Sequence, residues 1–282
     1  MTSATMQTPL VSTDWLAANL GKPGVKIVDG SWYLPAMNRD GKAEYLAGHI
    51  PGAVYFDIDE IADHSTDLPH TLPSDADFAA KVGALGLSNE DQIVVYDGGG
   101  IFSAPRVRWM LKNYGAKNVA LLDGGLPKWK AENRPLEPGA ANPAPALFKA
   151  QLDTSAVAPM VEVDAALKAK SAQVADARSK ARFDGAMPEP RAGLPSGHMP
   201  GAISLPMTDL VADGRLKPVE ELKKAIAASG VDPARPLITT CGSGVSATII
   251  NLAFEASGYP QPKLFDGSWT EWASKGMPVA KG

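Results

Sequence analysis

The chain reads as α/β, two tandem domains each built on a small parallel sheet flanked by helices. Three features carry that reading. Short apolar runs of strand length alternate with stretches of helical period. The order of these elements occurs twice along the chain. The turns that follow the central apolar runs are rich in Gly and Asp, as loops at the carboxyl edge of a parallel sheet are.

In the first half, Ser12 is a helix cap with a short helix through Leu20. Val25 to Asp29 is a strand. Glu44 to Leu46 makes a helical turn before Gly48-His49-Ile50-Pro51-Gly52-Ala53, and Val54 to Phe56 returns as extended chain. Ser74 caps a helix whose apolar face carries Phe78, Val82 and Leu85. Ile93 to Tyr96 is a strand ending in Asp97-Gly98-Gly99-Gly100, and a helix runs from about Ser103 to Tyr114. Val119 to Leu122 is the next strand, followed by Asp123-Gly124-Gly125 and a short helix through Trp129.

The second half repeats the series. Val174 to Ala177 is a strand, and Gly197-His198-Met199-Pro200-Gly201-Ala202 echoes the first Pro-Gly element. Pro218 opens a helix with Leu222 and Ile226 on one face. Leu237 to Thr240 is a strand and Ser246 to Ser257 a helix. Leu264-Phe265-Asp266-Gly267 echoes Leu122 to Gly125, and Trp272 echoes Trp129. His49 and His198, Asp97 and Cys241, and Asp123 and Asp266 lie 149, 144 and 143 positions apart. Near-constant offsets mean one duplication. The domains are read as 10–138 and 161–282, with the Pro- and Ala-rich 139–160 as linker.

The composition of the 282 residues, 45% hydrophobic and 21% charged, is that of a globular protein with substantial cores. A net charge of -4 offers no basic excess for nucleic acid. The start, Met1 to Pro9, has no basic, apolar secretory pattern, and no stretch is long enough to span a bilayer, so no membrane partner is expected and the cytoplasm is the default location. One cysteine excludes an internal disulfide and a cysteine-rich metal site. His49 and His198 each stand without a second ligand at metal spacing and are read as structural, capping the Pro-Gly turn that follows. No metal and no cofactor are expected. The tryptophans at 109, 129, 269 and 272 are read as core.

The duplication is unequal where chemistry is concerned. Asp97 falls where Cys241 falls in the second copy. Cys241 lies in a loop of small residues between a strand and a helix, where Gly242 and Gly244 let successive N–H groups turn toward one spot. The helix start adds a positive dipole end, so this cysteine is expected to react as a thiolate. A free cysteine by itself is more often inert packing, but packing needs no flanking Gly-x-Gly. The second copy is read as catalytic and the first, with Asp97, as non-catalytic.

The paired Gly-His-Ile/Met-Pro-Gly-Ala elements, the two Asp-Gly turns and the Cys loop resemble the tandem rhodanese-type sulfurtransferases. The loop Cys241-Gly242-Ser243-Gly244-Val245-Ser246 resembles the 3-mercaptopyruvate sulfurtransferase branch; the thiosulfate branch usually has basic residues there. The resemblance implies two tandem rhodanese-like domains and transfer of sulfur from a small α-keto thiol through a persulfide on Cys241, releasing pyruvate. The acceptor would be a low-molecular-weight thiol, thioredoxin or cyanide. Loop residues Gly242, Ser243, Gly244, Val245 and Ser246 would stabilise the persulfide. Arg182, in Ala-Arg-Phe, and Arg191, in Glu-Pro-Arg, match the family's substrate arginines, and a guanidinium suits a planar carboxylate. Ser243 matches a serine paired in the family with a histidine and an acid, here His70 and Asp59, although Thr71 stands where the family usually has Met.

Three other functions use the same scaffold. A thiosulfate:cyanide sulfurtransferase would use the same thiol with a different donor. A persulfide carrier would deliver to one partner without small-molecule turnover, and would have no use for two carboxylate-binding arginines. A cysteine phosphatase needs a longer loop closed by arginine, whereas Ala247 follows Ser246 here.

Overall fold

A computed structural model describes residues 8–282, and the start read as lacking a secretory pattern lies outside them through residue 7. The described chain divides into two units. One holds the described residues through Asp63, Leu72–Asp153 and Asp213–Arg215; the other holds His64–Thr71, Thr154–Ala212 and Leu216–Gly282.

The first unit runs β1 (Leu10–Val11), α1 (Thr13–Asn19), β2 (Val25–Asp29), α2 (Gly41–Ala47), β3 (Ala53–Tyr55), α3 (Asp75–Ala84), β4 (Gln92–Tyr96), α4 (Ala104–Asn113), β5 (Asn118–Leu122) and α5 (Gly125–Ala131). Its sheet has the order β1-β5-β4-β2-β3 with every pair parallel. All of β4 is buried, which is why it reads as a continuous apolar run. Ser12, Asp40 and Ser74 each accept a main-chain N–H of the first turn they precede, fixing where α1, α2 and α3 begin. The core gathers Val94, Tyr96, Leu122 and Trp129.

The second unit runs α6 (Met160–Ala169), β6 (Gln173–Asp176), α7 (Lys180–Phe183), β7 (Ile203–Ser204), α8 (Met207–Leu210), the hairpin strands β8 (Val211–Ala212) and β9 (Arg215–Leu216, of which Arg215 is grouped with the first unit), α9 (Val219–Ser229), β10 (Leu237–Thr240), α10 (Ala247–Ala256), β11 (Lys263–Leu264) and α11 (Ser268–Ser274). Its sheet, β11-β10-β6-β7, is also parallel and matches the order of the first sheet without the edge strand. A single parallel bridge from Val157 to Leu264 stands in that edge position. Trp269 and Trp272 pack on Ile238, Val174 and Phe265. No helix among the described residues is long and apolar enough to cross a membrane.

Two expectations change in detail. Much of the stretch read as linker is laid on the first unit: Phe148 is buried with its ring 5.7 Å from that of Phe78, and Ala146 N–H donates to Gly83 O at 2.9 Å. A Cβ on Gly83 would meet Ala146 O at 2.7 Å, so glycine there permits the strap to lie flat. The histidines are structural, but they fasten backward rather than capping the following turn. His49 Nδ1 donates to Tyr45 O at 2.9 Å and His198 Nδ1 to Phe183 O at 2.8 Å, each ring stacked on the aromatic ring it reaches.

Candidate active site

The site starts where β10 ends. Thr240 leads into the loop 241–246, and α10 begins at Ala247. Cys241 is 2% exposed. The two loop glycines serve different ends. Gly244 takes a left-handed φ of 74°, which glycine adopts without a Cβ penalty. Gly242 lies beneath two side chains: a Cβ there would lie 3.2 Å from Arg182 Nη2 and 3.7 Å from Arg191 Nη1. Both guanidinium groups therefore converge over the residue beside the cysteine.

The start of α11 holds the outer side of the loop. Trp269 N–H donates to Cys241 O at 3.0 Å, and Thr270 donates to Gly242 O from its N–H at 3.0 Å and its hydroxyl at 2.7 Å. Ser268 Oγ accepts from Cys241 N–H at 3.2 Å and Gly244 N–H at 3.0 Å. Among the described residues, no protein group accepts the main-chain N–H of Gly242, Ser243, Val245 or Ser246. Unpaired main-chain N–H groups of this kind are the chemistry that can receive an anion.

The arginines are set by a buried charge network. Arg178, its side chain fully enclosed, reaches Asp176 Oδ2 through Nη2 at 2.7 Å and Glu189 Oε1 through Nη1 at 2.8 Å. Its guanidinium lies 4.5 Å from the Trp269 ring centroid. Burial opposes this charge, but Asp176 and Glu189 outweigh burial and hold the Arg178 pKa above its ordinary value. Glu189 also accepts from Arg182 Nη2 at 2.5 Å and Nε at 3.2 Å. Two carboxylates thus meet two guanidiniums, and one edge of Arg182 is not committed to Glu189.

Ser243 joins the remaining candidates. His70 Nδ1 lies 3.0 Å from its Oγ, and Arg191 Nη2 donates to the same oxygen at 3.3 Å. Arg191 can only donate, so the Ser243 hydroxyl is free to direct its own proton to His70 Nδ1. His70 is 4% exposed and sits at φ 61°, an uncommon conformation for a residue with a Cβ. Asp59 is in the first unit, where its Oδ2 accepts from Trp32 Nε1 at 3.0 Å.

The first unit shows what such a loop does with an anion. Asp97 Oδ2 accepts the N–H groups of Phe102, Ser103 and Ala104, and Oδ1 accepts that of Gly99, all at 2.8 Å. A carboxylate occupies the ring of amides in one copy; a thiol stands at the corresponding place in the other.

Sequence reasoning missed Arg178, Glu189 and Ser268. Glu189 is the first residue of the Glu-Pro-Arg motif matched for Arg191. Ser268 was visible as the one difference between Asp123-Gly124-Gly125 and Asp266-Gly267-Ser268.

Fold and site together define a tandem α/β protein with one cysteine-bearing loop between a strand and a helix, the arrangement of a thiol-based group-transfer enzyme. Residues 12–132 and 160–275 each match the rhodanese-like domain, and the chain belongs to the rhodanese family. It is 42% identical over 276 residues to a 3-mercaptopyruvate sulfurtransferase of Rattus norvegicus, covering 95% of this chain and 93% of that one. It is 43% identical over 277 residues to a thiosulfate sulfurtransferase of Bos taurus, with coverage of 95% and 93%. The crystal structure of SseA from Escherichia coli, which has the rhodanese fold of the 3-mercaptopyruvate sulfotransferases, superposes with a TM-score of 0.87 at 40% identity, over 93% of this chain and 99% of that one.

Proposed function

We propose that the protein transfers sulfur from 3-mercaptopyruvate to a thiophilic acceptor through a persulfide on Cys241, releasing pyruvate. The observation that carries this reading is the convergence of Arg182 and Arg191 over Gly242, next to the cysteine. Two guanidiniums suit the carboxylate and keto oxygens of an α-keto acid. The substrate's sulfur is then presented to the neighbouring thiol.

In the first step the Cys241 thiolate attacks the sulfur of the donor. An S–S bond forms and the C–S bond breaks. The hydrogen of the donor thiol stays on the outer sulfur, and the bonding electrons leave with carbon as the enolate of pyruvate, which then takes up a proton. The Ser243 hydroxyl, accepting from Arg191 and from His70 in its Nδ1–H tautomer, turns its own proton from His70 to the developing enolate oxygen. His70 orients that hydroxyl. The outer sulfur, ionised, is held by the N–H groups of Gly242, Ser243, Val245 and Ser246 until an acceptor takes it. A small thiol, thioredoxin or cyanide fits as acceptor. The single free thiol suits a reducing compartment, and on that ground the cytoplasm is the proposed location.

Likeness to the bovine thiosulfate sulfurtransferase supports a second donor, thiosulfate, at the same thiol. The loop offers that dianion no basic side chain of its own, so the keto acid is the preferred donor. The test is kcat/KM for pyruvate release from 3-mercaptopyruvate beside thiosulfate turnover with cyanide. A ratio well above one supports the reading, and a ratio below one reverses it.

A further inference from the structure

Ser268 is one of six non-glycine residues with positive φ among the described residues, at 51°. A serine pays a steric penalty for that conformation. The corresponding residue of the first unit, Gly125, has φ 53° and pays none. A Cβ at Gly125 would meet Asp97 O at 2.6 Å and Gly100 O at 2.7 Å, so the first copy excludes a side chain there. The second copy accommodates one and buries it completely.

The hydroxyl is fully used. It donates to Phe265 O at 2.8 Å and accepts the N–H groups of Cys241 and Gly244 at 3.2 and 3.0 Å. One atom thus ties the first and fourth residues of the loop together from outside. The two units organise the same loop by different means. In the first, the Asp97 carboxylate gathers four amides from within, and glycine suffices behind it. A thiol cannot gather amides with that strength before it is ionised. The second unit supplies an acceptor on the other side.

We propose that Ser268 is a positioning residue for Cys241. Its hydroxyl takes the Cys241 and Gly244 amides out of the inward-facing set, fixes the loop's curvature before sulfur arrives, and leaves the amides of Gly242, Ser243, Val245 and Ser246 to the sulfur. This rests on the reading of Cys241 as the sulfur-carrying nucleophile, and accounts for a strained serine where the duplicate has glycine.

Two variants separate this role from plain stability. Ser268→Ala removes the hydroxyl and keeps the strained φ; Ser268→Gly removes the hydroxyl and relieves the strain, as in the first unit. Cys241 alkylation by iodoacetamide is followed against pH in both, together with kcat and KM for sulfur transfer and thermal stability. The expected result is the same upward shift in the pH midpoint of alkylation in both variants, by about one unit. We expect kcat to fall roughly ten- to a hundredfold, as for loss of a preorganised donor array, with KM for the donor little changed. Ser268→Gly is the more stable of the two. Wild-type alkylation profiles in both variants, or activity restored in Ser268→Gly in step with its stability, overturn the proposal. Sulfur uptake by the wild type is measured alongside. Its failure overturns the reading of Cys241, while the alkylation profile, which needs no substrate, still decides the role of Ser268.

Discussion

Glu189 Oε2 lies 2.5 Å from Arg182 Nη2, while its other oxygen lies 2.8 Å from Arg178 Nη1. One buried carboxylate therefore holds the enclosed Arg178 and Arg182, the arginine proposed to meet the donor, together. Glu189→Gln leaves two guanidiniums against the single carboxylate of Asp176. Breaking a buried pair in this way costs about 3–5 kcal/mol. Urea unfolding is expected to show a loss of that order, and steady-state kinetics a donor KM raised about tenfold as Arg182 loses its alignment. A variant with wild-type stability and KM contradicts the bridging role.

Arg182 and Arg191 are proposed to grip the donor through fork geometry and not charge alone. Lysine keeps the charge and loses the paired N–H groups. Arg182→Lys and Arg191→Lys are each expected to lower kcat/KM for 3-mercaptopyruvate by about ten- to a hundredfold. Alkylation of Cys241 by a neutral reagent serves as the control and stays near wild type. Equal loss in both measurements would mean that the arginines support the loop and not the donor.

The Asp97 carboxylate accepts four main-chain N–H groups. Asp97→Ala strips the acceptor from all four, and the first unit is expected to lose about 2–4 kcal/mol of stability by chemical denaturation. Sulfur loading of Cys241 in the folded variant is expected to persist. Loss of loading without loss of stability would give the first copy a role in the chemistry.

Asp29 closes β2 as Asp176 closes β6, but it faces Ser31 where Asp176 faces Arg178. Burial, eased in part by hydrogen bonds from Ser31 and Tyr96, raises its pKa from 3.8 to about 6. The folded state therefore holds this proton across a range where the unfolded chain has released it. Stability from this group is greatest below about pH 4 and declines as pH rises to about 6, by roughly 3 kcal/mol in all. Asp29→Asn removes the titration. The stability difference between variant and wild type is expected to move in the variant's favour by about that amount between pH 4 and pH 7.5. A difference independent of pH contradicts the assignment.

Sequence carried the central strands because burial on both faces leaves an unmistakable mark: Ile93 to Tyr96 and Leu237 to Thr240 are apolar or β-branched throughout. It carried the caps Ser12 and Ser74 because a hydroxyl three residues ahead of an N–H is a local signal. The two-residue strands β7 and β11 have no period to read. Helix α6 starts at Met160, where a Pro- and Ala-rich composition suggested linker. The cysteine loop was legible from chemistry and from its unequal twin. The network Asp176–Arg178–Glu189–Arg182 was not. Its members are close in sequence, but composition cannot say whether four charges face water or one another. The meeting of His70 with Ser243 spans 173 positions and is set by tertiary structure alone.

The most direct test adds 3-mercaptopyruvate to the protein without an acceptor, and follows intact mass, peptide mapping and pyruvate release together. The prediction is a gain of one sulfur atom, mapped to Cys241, with one pyruvate released per chain loaded, and neither event in Cys241→Ser. Pyruvate release by Cys241→Ser at the wild-type rate, or a wild-type chain that takes up no sulfur at Cys241, would contradict it.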